Sequence, residues 1–130
     1  MIQARRFAQV FGAIYLLVGI AGFAATGLSN FAAPSGDKLL LFGVNPLHNL
    51  VHIAVGALWL ASARSETGAR AVSGLIGSVY FVVGVLGLFL AGNTELNILN
   101  LNQPDNVLHF VSALAALYVG FVSRPRAAMA

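Results

Sequence analysis

Apolar residues gather in four long stretches, 7–26, 47–63, 72–91 and 105–123, separated by connecting segments richer in polar residues. Each approaches the ~20 residues that a helix rising ~1.5 Å per residue needs to cross a hydrocarbon core. The pattern predicts four transmembrane helices. Within them the exceptions to apolarity recur at helical spacing. "FGAIYLLVGIAGF" in the first stretch and "IGSVYFVVGVLGL" in the third superpose at one constant offset, matching Gly12, Tyr15, Gly19 and Gly22 with Gly77, Tyr80, Gly84 and Gly87. Steps of three and four residues put each set on one helical face, a seam of small residues that admits a close neighbour. The second and fourth stretches match in the same way: Asn49 and His52 align with Asn106 and His109, and His48 aligns with Asp105.

Both halves would cross the membrane in the same direction, so the repeat is a parallel one, related by a pseudo-twofold axis along the membrane normal. The expected fold is all-α: a membrane-embedded antiparallel four-helix bundle made of two similar two-helix hairpins, one domain over 1–130 with pseudo-repeats of about 1–64 and 70–126. "SARSETGAR" joins the halves as a short polar link, whereas the two outer connections are longer and partly apolar. Their stretches "DKLLLFGVN" and "TELNILNLN" align and are expected to lie against the bundle mouth. The pattern leaves open whether these are helical or extended. Asn45 before Pro46 and Gln103 before Pro104 read as helix starts, with proline where its missing N–H costs nothing.

Composition agrees with lipid as the solvent. Hydrophobic residues make up 58% of the chain and charged ones 8%, too few to solvate a globular surface. The first apolar run follows Arg5 and Arg6 as a secretory signal would, but it is longer than a signal core and shares the seam of the third helix, so it is assigned to the bundle. Arg5, Arg6, Arg64, Arg70, Arg124 and Arg126 fall on one side of a four-span arrangement and Lys38 on the other, which predicts cytoplasmic termini. The net charge of +3 therefore reflects topology, and with the arginines spread over span ends no nucleic-acid partner is implied. The absence of cysteine excludes disulfides and thiolate metal sites.

The polar constellation is the candidate site. His52 lies 64 − 52 = 12 residues before Arg64, and His109 lies 124 − 109 = 15 residues before Arg124, so both are submerged at similar depth in the outer half of the bilayer. Facing lipid they would be costly, which predicts an inward, paired arrangement. Three uses fit. The asparagines Asn49 and Asn106 could bond the histidines or the outer loops and clasp the bundle, since interhelical polar contacts are worth ~0.6–2 kcal/mol. His52 and His109 could ligate a haem or chlorophyll, with Gly56 and Ala113 leaving room for the flat ring and Trp59 and Phe110 walling it. Or His48, His52, Asp105 and His109 could hold a transition metal as two i, i+4 pairs, with Asn49 and Asn106 orienting the imidazoles. Transport is disfavoured, because the midplane offers glycines and tyrosines with no acid, base or broken helix. No nucleophile with a triad-like pattern is visible, so an enzyme would need a bound cofactor.

The residues "NPLHNLVH" and "DNVLH", with the glycine-rich first and third helices, resemble the bacterial four-helix integral membrane family catalogued as domain of unknown function 4383, over nearly the whole chain. That resemblance implies a protein of the bacterial cytoplasmic membrane and brings no activity with it. On this reading the chain is expected to be a structural or accessory subunit that meets lipid and other membrane subunits. The alternative is a cofactor-binding protein serving electron transfer or light harvesting through His52 and His109.

Overall fold

The computed structural model of the chain describes residues 3–92 and 95–123. Arg124 and Arg126, part of the charge pattern above, lie outside them. Four helices account for most of the described chain: α1 (Ala4–Thr26), α2 (Pro46–Ser62), α3 (Glu66–Leu90) and α4 (Gln103–Leu117), the last running on into a π-helical turn at Tyr118–Val122. Three are long and apolar enough to cross a membrane: α1, α3 and α4 with its π turn. The fourth expected span, α2, has 17 residues, ~26 Å of helix against a hydrocarbon core of ~30 Å. Its bounds are fixed by neighbours. The Asn45 cap and Pro46 start it, and the turn that ends it at once becomes the Ser65 cap of α3.

The glycine seams explain which helices pair. A methyl group on Gly12 would stand 3.0 Å from the Gly56 carbonyl oxygen, and one on Gly19 would stand 2.7 Å from the carbonyl oxygen of Asn49. Positions advancing along α1 thus meet positions retreating along α2, with backbone against backbone. The second half packs alike. A methyl on Gly77 would lie 2.8 Å from the Leu117 nitrogen, while Gly84 abuts the Phe110 ring and Gly87 abuts the Asn106 amide. Such approaches are open only to residues without a Cβ, and the dispersion contacts they permit replace the hydrophobic drive that lipid removes.

Outward faces are apolar: Val10, Ile14, Leu17 and Ile20 on α1, and Leu75, Val79, Val82 and Leu86 on α3, are all exposed. The interior holds the polar groups. Tyr15, Trp59, Tyr80, Ser73, Ser112, both matched asparagines and all three histidines are buried. This inverts the pattern of a water-soluble bundle and suits a surface facing acyl chains.

At the arginine-rich end the first helix has no local cap, since Gln3 makes no side-chain bond to it. Glu66, the first residue of α3, supplies one from a distance: its carboxylate accepts from the backbone N–H of Ala4 (2.8 Å) and of Arg5 (3.3 Å). A negative group at a helix N-terminus satisfies orphan donors and meets the positive end of the helix dipole. At the opposite end the outer connections form a lid. The first is mostly turns and carries one short hairpin, β1 (Lys38–Leu39) against β2 (Phe42–Gly43). The second, over residues 95–102, is a series of turns.

Candidate functional site

The lid is pinned by asparagines that reach between the halves. Asn45 caps α2 by accepting from the His48 N–H (2.8 Å), and its amide donates to Ala33 O (2.9 Å) and, across the molecule, to Ile98 O (2.8 Å). Asn102 caps α4 in a capping box with Asp105 and donates to Leu41 O (2.9 Å). The cap of α4 is therefore Asn102, one residue before the expected Gln103, which is instead the first helical residue. Leu41 and Ile98 are equivalent under the offset that relates Asn45 to Asn102, so each cap holds the other half's loop at a matching place. Asn100 adds bonds to Asp37 O (3.1 Å) and Val44 O (3.0 Å).

Beneath this lid the three histidines converge. His48 and His52 stand one turn apart on α2 with their Nε2 atoms 3.2 Å apart, and a ring nitrogen from each of His48, His52 and His109 lies within 4.8 Å of the others. All three are 2–4% exposed. Among the described residues the Nδ1 atoms of all three are buried without a hydrogen-bond partner, although the backbones of Gly43 and Leu99 border the His48 ring. The inward, paired arrangement expected for His52 and His109 thus includes His48 as its third member.

Asp105, the fourth expected metal ligand, is committed elsewhere. Its Oδ2 accepts from the N–H of Asn102 (3.0 Å) and of Gly43 (3.1 Å), joining the α4 cap to the hairpin, and it does not join the cluster of ring nitrogens. The asparagines likewise do not hydrogen-bond the imidazoles. Asn49 donates to Thr26 Oγ1 at 3.0 Å, with its Oδ1 seated against Gly22. Asn106 sits the same way against Gly87, yet neither its Nδ2 nor its Oδ1 has a partner. At the sequence offset that matches Gly22 with Gly87, the counterpart of Thr26 is Ala91.

An aromatic layer floors the cluster. Tyr15 meets His52 and Tyr80 meets His109, each edge-on with ring centroids 5.1 Å apart, and the two tyrosines meet each other at 5.5 Å. Below them Trp59 packs against Tyr15, Phe7 and Phe11. Tyr15 Oη donates to Ser112 Oγ (2.7 Å) and Trp59 Nε1 to Ser73 Oγ (3.1 Å). The Tyr80 hydroxyl has no partner, because the residue that matches Ser112 in the first half is Val55. Sequence reasoning passed over Thr26, Ser73 and Ser112. Ser112 was within reach of it, being one turn after His109 on the same seam.

The geometry also bears on the macrocycle. Gly56, expected to leave room for a flat ring, is filled by α1: a methyl there would stand 2.7 Å from the Gly12 carbonyl oxygen. The Nε2 of His48, moreover, occupies the approach to the Nε2 of His52.

The sequence model of domain of unknown function DUF4383 matches residues 5–122. The chain belongs to this family. The match takes in all four helices and the whole site. No curated protein and no solved structure matched the chain.

Proposed function

We propose that this DUF4383 protein is a two-hairpin, antiparallel membrane bundle that holds one transition-metal ion on His48, His52 and His109. The observation that carries this is the approach of the two Nε2 atoms to 3.2 Å, inside a buried set of three ring nitrogens. Nitrogens bound to one ion at ~2.0–2.1 Å with near-tetrahedral angles stand ~3.2–3.4 Å apart. A neutral imidazole pair would otherwise have to share a single proton between these two atoms. The spread of up to 4.8 Å to the third nitrogen is one that side-chain rotation closes. The macrocycle is the weaker form of the cofactor reading, since the space beside His52 is taken by α1 and His48.

Support for the repeat comes from the exchanged loop bonds of Asn45 and Asn102, and from Gly22 and Gly87 seated alike on Asn49 and Asn106. Orientation follows the arginines: Arg5, Arg6, Arg64 and Arg70 at one end and Lys38 at the other favour a cytoplasmic N-terminus in the bacterial inner membrane. The accessory-subunit role rests on the apolar outer faces alone, and lipid satisfies those.

The test is metal stoichiometry. Detergent-purified protein, stripped of metal and then offered Zn(II), Co(II) or Cu(I), retains one ion per chain after gel filtration. His52→Ala and His109→Ala abolish retention while circular dichroism stays helical. A folded wild-type chain that retains none of the three reduces the cluster to a hydrogen-bonded clasp.

A further inference from the structure

Resting on the proposed metal site, we infer that its ion is monovalent copper, Cu(I), in preference to a divalent cation. The argument begins with charge. All three ligand side chains are imidazoles, which can bind a metal as neutral groups and then bring no negative charge to the ion. The chain has four acidic residues and no cysteine. Glu66 caps α1 at the far, arginine-rich end, and Asp37 and Glu95 lie exposed in the outer connections. Asp105 stands one turn before His109 on α4, its carboxylate anchored by two backbone N–H groups. A single ionised carboxylate balances a monovalent ion and leaves a divalent one with a net positive charge.

Burial turns that difference into selectivity. The ligands are 2–4% exposed beneath the lid, and the desolvation cost of an ion grows as the square of its charge, about fourfold from +1 to +2 at equal radius. Coordination number points the same way. Zn(II) in a three-histidine site completes its shell with a water or a further ligand. Here the Tyr15 and Tyr80 rings stand edge-on against the cluster on the side toward the midplane; Tyr15 spends its hydroxyl proton on Ser112, which leaves the Tyr80 hydroxyl as a candidate fourth donor that the Tyr80→Phe variant below removes. Cu(I), a closed-shell ion, accepts three nitrogens with no fourth ligand. Sodium and potassium, the common monovalent alternatives, prefer oxygen donors over a set of imidazole nitrogens.

The experiment is an anaerobic competition with the full chain in lipid nanodiscs. Cu(I) is delivered as its bathocuproine disulfonate complex, and Zn(II) is titrated separately against a fluorescent zinc chelator. The expected result is one Cu(I) per chain, held at least about 100-fold more tightly than Zn(II), in the direction that the charge argument gives. Binding should be lost in His52→Ala and His109→Gln and kept in Tyr80→Phe, which leaves all three imidazoles in place. X-ray absorption should report three nitrogen neighbours. Zn(II) held as tightly as Cu(I) overturns the copper assignment and leaves the three-histidine site standing. No ion of either kind overturns the site as well. Cu(I) retained equally by both histidine variants, with helical circular dichroism, places it elsewhere and refutes both.

Discussion

Asn106 offers the sharpest test of the repeat, because its unpaired amide can be given a partner by copying the other half. In the first half Asn49 Nδ2 donates to Thr26 Oγ1; in the second, both polar atoms of Asn106 are buried without partners and the residue matching Thr26 is Ala91. The substitution Ala91→Thr offers a hydroxyl at the position that the sequence offset matches with Thr26. Ala91 is partly exposed, with φ −59° and ψ 117°, a conformation that threonine adopts without strain. An orphaned buried amide costs ~1–3 kcal/mol, while hydrogen bonds between membrane helices return ~0.6 kcal/mol on average and ~1.7 at most. The expected gain is therefore ~0.5–1.5 kcal/mol. Equilibrium unfolding in mixed dodecyl sulfate micelles measures it, with fluorescence of the single, fully buried Trp59 as the signal. The gain must vanish when Asn106 is also changed to Leu. Unchanged stability, or an equal gain in the Asn106→Leu background, would refute the equivalence of the two halves.

Val55→Thr is the matching experiment for Tyr80: it keeps the side-chain shape and offers the phenol the partner that Ser112 gives Tyr15. The expected change is between about 0 and +1 kcal/mol, and a loss of more than about 1 kcal/mol by the same titration would show that no such bond forms. Glu66→Ala should destabilise by ~0.5–2 kcal/mol through two uncapped N–H groups, with hydrogen exchange accelerated at Ala4 and Arg5 ahead of the rest of α1. Exchange rates that stay unchanged at those two amides would show the cap to be dispensable.

The number and placement of the helices were legible in sequence because lipid imposes a length and an apolarity on any span, and the glycine seams because close packing excludes every larger residue. Gly12, Gly19 and Gly22 meet α2, and Gly77, Gly84 and Gly87 meet α4, on the faces their spacing predicts. The convergence of His52 and His109 was readable for a related reason: an imidazole on an otherwise apolar helix is costly outside the bundle interior. What chain order could not reveal is everything decided by contacts between distant segments. Asp105 stands apart from the three ring nitrogens, its carboxylate held by the N–H of Gly43 on a hairpin more than 60 residues away. The Asn49 side chain bonds a threonine on α1 while that of Asn106 has no partner among the described residues, and α1 is capped by a carboxylate from α3. Hydrophobic periodicity is a property of one helix, whereas the partner of a buried polar group is chosen by whichever donor or acceptor the folded chain brings within 3 Å or so of it.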